Sequence, residues 1–261
     1  MLSASGMLID LSRCIGCRAC QAACKQWHGL PAESTRNTGS YENPPARSAK
    51  TWTTITFHEV DGGGPLRWVF AKRQCMHCLD PGCAAACPVG ALHATPEGPV
   101  VYDDARCIGC RYCMLACPFG VPTFEWEAPV PYIRKCTLCA DRLAGGMQPA
   151  CSKACPTGAL RFGVRKELLE EAHSRIRARP RAYVDRVYGE REAGGTSKLY
   201  LSPVPFARLG FPEPGPEPVS RYAETAMRAV PFAAAAAAAA VAGARWIVRR
   251  RDEVKGGAGE E

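Results

Sequence analysis

The signatures of a self-contained enzyme are missing from these 261 residues. No G-x-G-x-x-G follows a strand-like stretch, no phosphate loop is present, and Ser, His and Asp occur in no order that builds a nucleophile. Histidine is scarce: the five are His28, His58, His77, His93 and His173, each isolated from the others. His77, inside a cysteine loop, is expected to hydrogen-bond rather than to ligate. An export signal is also lacking, since Met1 to Arg13 has neither a basic start nor an apolar core and no twin arginine precedes Cys14. A non-catalytic chain is the expectation.

Cysteine, by contrast, is abundant. There are sixteen, all between Cys14 and Cys155. So many thiols suit a disulfide scaffold, structural zinc or iron–sulfur clusters. Disulfide frameworks belong mainly to short secreted domains, and this chain is neither short nor equipped with a signal. Zinc would need several all-cysteine sites in series, because no histidines match the cysteines.

Spacing favours iron. The cysteines form four groups: Cys14, Cys17, Cys20, Cys24; Cys75, Cys78, Cys83, Cys87; Cys107, Cys110, Cys113, Cys117; and Cys136, Cys139, Cys151, Cys155. Each group ends C-x-x-x-C, and the last three are followed by Pro88, Pro118 and Pro156. The first and third have the C-x2-C-x2-C-x3-C spacing of two-cluster bacterial ferredoxins. In that arrangement three thiolates on a tight loop grip one cubane, while the fourth, on a short helix, reaches the cubane of a partner group. C-P-V-G-A-L at 87–92 and C-P-T-G-A-L at 155–160 mark a repeated unit.

The formal charge of +8 would raise nucleic acid as a partner. Clusters change that balance, because a cubane with four thiolates carries about −2 and four of them about −8. Bases stand close to the cysteines in sequence: Arg13, Arg18, Lys25, Lys72, Arg73, Arg106, Arg111, Arg134, Lys135 and Lys153. Charge compensation accounts for them, and no nucleic-acid partner is expected. Trp27, Trp52, Trp68 and Trp126 could shield clusters from water or simply pack.

Local patterns predict an α+β fold. Short helices are expected at Gln21–Cys24 and Met114–Cys117, and strands at 51–60, 66–71, 99–102 and 159–162. Residues 164–179 predict an amphipathic helix stopped by Pro180. Residues 203–218 hold six prolines and read as an extended linker. The chain is uncharged from Ala229 to Ala244, with an alanine run at 233–240, and Arg245 to Val248 extend the stretch to about 30 Å as helix. A single membrane span is expected there, with Trp246 as interface anchor and Arg249–Arg251 beyond it.

The sequence resembles the iron–sulfur subunits of molybdopterin oxidoreductase complexes, and among them most nearly those of membrane-bound formate dehydrogenases. The phrases that carry the resemblance are C-I-G-C-R-A-C-Q-A-A-C-K-Q-W (14–27), S-A-K-T-W-T (48–53), C-M-H-C-L-D-P-G-C (75–83), R-K-C-T-L-C-A-D-R (134–142) and G-G-T-S-K-L-Y (194–200). It covers residues 7 to about 211 and, by position, the terminal helix. Departures are Lys25, where a simple ferredoxin has proline, and the alanine-rich anchor; no ligand position carries Trp, unlike nitrate reductase relatives that hold a 3Fe–4S cluster.

The resemblance implies two ferredoxin-like modules, four 4Fe–4S clusters and no catalytic residue. The first module comprises 1–62 and 131–202, the inserted module 63–130, followed by a linker (203–228), an anchor helix (229–248) and a basic then acidic tail (249–261). It implies four ligand sets: Cys14, Cys17, Cys20, Cys155; Cys24, Cys136, Cys139, Cys151; Cys75, Cys78, Cys83, Cys117; and Cys87, Cys107, Cys110, Cys113. The implied partners are a molybdopterin-containing catalytic subunit, a membrane cytochrome b or quinone-reactive subunit, and membrane lipid. Equivalent subunits of a membrane-bound hydrogenase or another molybdopterin oxidoreductase are the alternative. Five bases after the apolar stretch (Arg245, Arg249, Arg250, Arg251, Lys255) against two before it (Arg221, Arg228) predict a cytoplasmic C-terminus. The cluster domain would then face the periplasm of a bacterium, exported on the signal of its catalytic partner.

Overall fold

The computed structural model describes residues 4–37, 39–61 and 66–256 and divides into two units, Met1–Ser220 and Arg221–Glu261. The first contains every cysteine. At its centre lies a three-stranded sheet in which β1 (Ser5–Asp10) is flanked by two strands from far along the chain, β8 (Leu160–Val164) and β9 (Lys198–Leu201). β1 runs antiparallel to β8, with Met7 opposite Phe162, and parallel to β9, with Ile9 opposite Tyr200.

The alternation of strand side chains explains why this sheet is covered on both faces. Met7, Ile9 and Tyr200 point into one core, whereas Leu8, Leu199 and Leu201 point into another. The second core is closed by α6 (Arg165–Ala178), whose Leu168, Ala172 and Ile176 recur at helical spacing. The amphipathic helix expected at 164–179 is therefore present.

A buried carboxylate joins α6 to β1. Asp10, fully buried, accepts from Arg175 Nη1 at 2.7 Å, Tyr183 Oη at 2.9 Å and Oγ of the exposed Ser12 at 2.5 Å. Replacing Asp10 with Ala leaves the largely buried Arg175 guanidinium without this partner. We expect a loss of about 3 kcal/mol of stability, read as a lower temperature for loss of the cluster chromophore.

β2 (Thr54–Val60) and β3 (Arg67–Arg73) form an antiparallel hairpin over their full length, Thr54 opposite Arg73 and Val60 opposite Arg67. The Asp61-Gly-Gly-Gly64 stretch that joins them, a turn by composition, lies mostly outside the described residues. The sequence reading divided this hairpin between modules at 62/63. The structure instead lays Val69 and Ala71 of β3 in the same core as Met7 and Ile9, because a strand fully paired with β2 cannot follow a different core.

Between the hairpin and β8 come α2 (Gly82–Ala85), β4 (Leu92–Ala94), β5 (Val100–Tyr102), α3 (Tyr112–Leu115), β6 (Thr123–Phe124), β7 (Ile133–Arg134), α4 (Ala140–Ala144) and α5 (Ala150–Lys153). Cys83, Leu92, Val100, Cys113 and Ile133 make a small core of their own here. α1 (Ala19–Trp27) precedes the hairpin and packs against α5. The helix expected at 114–117 starts earlier and stops at Leu115, so Cys117 lies just beyond it.

The proline-rich segment is not an extended linker. Phe206, Leu209 and Phe211 are buried in the main core, Arg73 stacks on Phe211 at 3.8 Å, and the amides of Ala193 and Gly194 bond to Gly215 and Pro216 carbonyls. Its apolar residues find a surface, and proline's lost donors are no handicap in an irregular chain. The second unit is one helix, α7 (Ser220–Gly256), longer at both ends than the expected 229–248. Ala229–Arg251 has a mean hydropathy of 1.5 and is long and apolar enough to cross a membrane.

Candidate metal centres

Cysteine placement begins with two matching loops. In Cys14-Ile-Gly-Cys17-Arg and Cys107-Ile-Gly-Cys110-Arg, the glycines have φ of 69° and the arginines, Arg18 and Arg111, lie at 60° and 63°. These left-handed residues curl each loop back on itself and deliver it to the start of α1 or α3. A side chain at Gly16 would also meet the Phe70 ring at 2.9 Å. Curled loops aim amides at sulfur: Gly109 N donates to Cys107 Sγ at 3.4 Å and Leu138 N to Cys136 Sγ at 3.4 Å. Such bonds favour the thiolate form that binds iron.

The structure brings the cysteines together in sets drawn from distant groups. Cys14, Cys17, Cys20 and Cys155 line one cavity. Cys24, Cys136, Cys139 and Cys151 line a second, and Cys87, Cys107, Cys110 and Cys113 line another. Cys78 has Cys75, Cys117 and Cys83 as neighbours. The two thiols of a C-x-x-x-C pair lie near different sets; on a helix that spacing is about one turn and puts both thiols on one face. Cys20 and Cys24 do this on α1.

The sets adjoin in series: Cys151 lies near Cys20, Cys136 near Cys75, and Cys113 near Cys83, so the cysteines around Cys78 stand between the set of Cys136 and the set of Cys113. Cys17 and Cys110, in the two terminal sets, are the exposed cysteines.

Burial dominates the thiol chemistry. It pushes Cys14 and Cys113 up to about 11 and Cys83 and Cys139 up to about 12, and it raises Cys20, Cys24 and Cys78 as well. Left alone, these thiols stay protonated at neutral pH; a bound metal must supply the energy that displaces the protons. Four thiols around a shared cavity are the ligand arrangement of an iron–sulfur cubane.

Buried lysines give an independent test of fit. Lys72, Lys135 and Lys198 are all buried, and their Nζ atoms find only Thr53 Oγ1, the Val100 and Cys136 carbonyls, and Met7 Sδ. Burial lowers Lys198, while Lys72 is raised overall, since Cys20, Cys151, Cys24 and Cys136 outweigh its desolvation. A buried ammonium without an anion costs several kcal/mol. Thiolate-ligated cubanes of about −2 each supply that anion. The residues fit the group.

Sequence reasoning missed His28, whose Nε2 lies 3.5 Å from Cys139 Sγ; an isolated histidine gave no signal of a contact 111 positions away. His77 hydrogen-bonds as expected, its Nδ1 accepting from Val100 N at 2.9 Å. Of the tryptophans, Trp52 packs beside Cys75, Cys117 and Cys136, whereas Trp126 is 66% exposed and packs against Phe124 and Arg111.

Comparison with known proteins names the group these cavities suit. Two family models described as "4Fe-4S dicluster domain" match residues 13–91 and 66–165. A protein of Nitratidesulfovibrio vulgaris is 44% identical over 253 residues, 95% of this chain and 68% of its own length. The nitrate-inducible formate dehydrogenase iron–sulfur subunit of Escherichia coli is 46% identical over 197 residues, 74% of this chain and 66% of that subunit. The hydrogenase-2 operon protein HybA of Shigella flexneri is 35% identical over 243 residues, 80% of this chain and 73% of its own length. The chain belongs to the family of these relatives: a non-catalytic electron-transfer subunit with two 4Fe–4S dicluster domains and so four 4Fe–4S clusters.

Proposed function

We propose that the chain relays electrons from a formate-oxidising molybdenum or tungsten pterin subunit to a membrane cytochrome b or quinone-reactive subunit. The observation that carries this reading is the 46% identity to a formate dehydrogenase iron–sulfur subunit. The matched region covers 66% of that relative, so substrate and partners are inferred by likeness.

In this reading the ligand sets are Cys14, Cys17, Cys20, Cys155; Cys24, Cys136, Cys139, Cys151; Cys75, Cys78, Cys83, Cys117; and Cys87, Cys107, Cys110, Cys113, numbered one to four. The cavities that the first, second and fourth sets line support the grouping, and the nearness of Cys75, Cys83 and Cys117 to Cys78 supports the third. Each cluster, when bound, takes up and releases one electron. The protein fixes the spacing, excludes water from most of the thiols and aims amides at sulfur. Adjacency of the sets supports passage in numerical order or its reverse, with Cys17 and Cys110 near the points of entry and exit.

α7 is the membrane anchor in this reading, with its C-terminus in the cytoplasm and the cluster domain in the periplasm. The bases that follow the apolar stretch, Arg245, Arg249, Arg250, Arg251 and Lys255, support that orientation. Protease added to spheroplasts should digest the cluster domain; protection until the membrane is breached would place it in the cytoplasm.

A second reading, the equivalent subunit of a hydrogenase, has the HybA likeness in its favour. The two separate on the complex purified anaerobically from membranes. Formate should bleach the cluster absorbance, and the large subunit should contain molybdenum or tungsten. Bleaching by hydrogen and not by formate would favour the second reading.

A further inference from the structure

Lys72 occupies the junction between two cysteine sets. It lies on β3, is 1% exposed, and its side chain lines the cavity of Cys14, Cys17, Cys20 and Cys155 and also that of Cys24, Cys136, Cys139 and Cys151. Its Nζ donates to Thr53 Oγ1, and Cys20, Cys151, Cys24 and Cys136 are the cysteines that act on it. Lys198 shares the second of these cavities with Lys72 and faces it together with Cys136, Cys151 and Cys75, but it does not line the first. Lys135 lies near Cys75 and Cys83.

We propose that Lys72 is a counter-charge shared by clusters one and two, which holds the reduction potentials of both above the values they would have without it. The proposal rests on the ligand sets given above. Reduction adds one negative charge to a cluster, and a fixed cation at close range stabilises the reduced state. Inside the protein that attraction is screened far less than at the surface, where the exposed bases near the loops stand in water. The Thr53 hydroxyl and the β3 backbone hold the ammonium in place, so the charge cannot be lost to solvent by rotation of the side chain. Because one side chain borders both cavities, removing its charge should move two couples together and spare the other two.

The test is an EPR-monitored redox titration of the intact complex carrying the wild-type chain, Lys72→Met or Lys72→Arg. Methionine keeps most of the volume and removes the charge; arginine keeps the charge. With Lys72→Met, two of the four midpoint potentials should fall and two should stay, while Lys72→Arg should leave all four close to wild type. Four couples unmoved by Lys72→Met, or all four shifted alike, would overturn the proposal while leaving the ligand sets intact. Should Lys72→Met fail to retain its clusters, the arginine variant decides. Clusters retained with Arg mean that the charge is what the site needs, and clusters lost with both mean that Lys72 only fills space. Fewer than four couples in the wild-type complex would refute the ligand sets themselves, and the lysine's role with them.

Discussion

Cys24→Ala and Cys155→Ala should damage different clusters, each the one that the other's group is built around. Cys24 follows Cys14, Cys17 and Cys20 in sequence, yet it lines the cavity of Cys136, Cys139 and Cys151. Cys155 follows Cys136, Cys139 and Cys151, yet it lines the cavity of Cys14, Cys17 and Cys20. The exchange follows from geometry. Cys20 and Cys24 lie one turn apart on α1, which packs against α5, the helix that carries Cys151. The first thiol of each pair therefore faces the neighbouring group's last. Each variant should lose one EPR signal and up to about a quarter of the iron, and the two lost signals should differ. Loss of the same signal from Cys24→Ala as from Cys17→Ala would refute the crossed arrangement.

Cutting the chain after Ser220 should move it from the membrane fraction to the soluble fraction with its colour intact. Residues 1–220 form a compact unit that contains all sixteen cysteines and every buried core cluster. The helix beyond has no buried residue in its apolar window, and Phe232 is 77% exposed. Such a surface is tolerable in lipid and costly in water. Alanine contributes little per residue, so the anchor relies on its length and on Phe232, Trp246, Ile247 and Val248. Expressed without partner subunits, the full-length chain should sediment with membranes and the truncated chain should not. A brown, soluble full-length protein would contradict the anchor.

Features set by local chemistry were legible from residue order. The cysteine groups fix their own loops, because three thiols at C-x2-C-x2-C spacing with a glycine among them have few ways to turn. The strand β5 follows from its Val-Val-Tyr run, β8 from short apolar alternation around Leu160 and Phe162, and α6 from helical spacing. What escaped was decided by tertiary contact. β1 pairs in parallel with β9, nearly two hundred positions away, and nothing in either strand names its partner. The segment after Ser202 reads as a linker from its prolines, but Phe206, Leu209 and Phe211 dock it beside Tyr188 and Tyr200. Nothing in residue order marks Asp10; only the fold shows it buried with Arg175 and Tyr183 as partners. Lys72 was one base among ten near the cysteines, and its place between two cavities exists only once β3 is folded against them.

Four clusters on sixteen thiols leave no cysteine over, which makes iron and sulfide analysis the most direct measurement. The chain purified anaerobically should contain about sixteen irons and about sixteen acid-labile sulfides, four of each per cubane. Thiol reagents should find no free cysteine before the clusters are broken by acid. About eight irons or fewer, with the remaining thiols open to titration, would contradict the four-cluster chain.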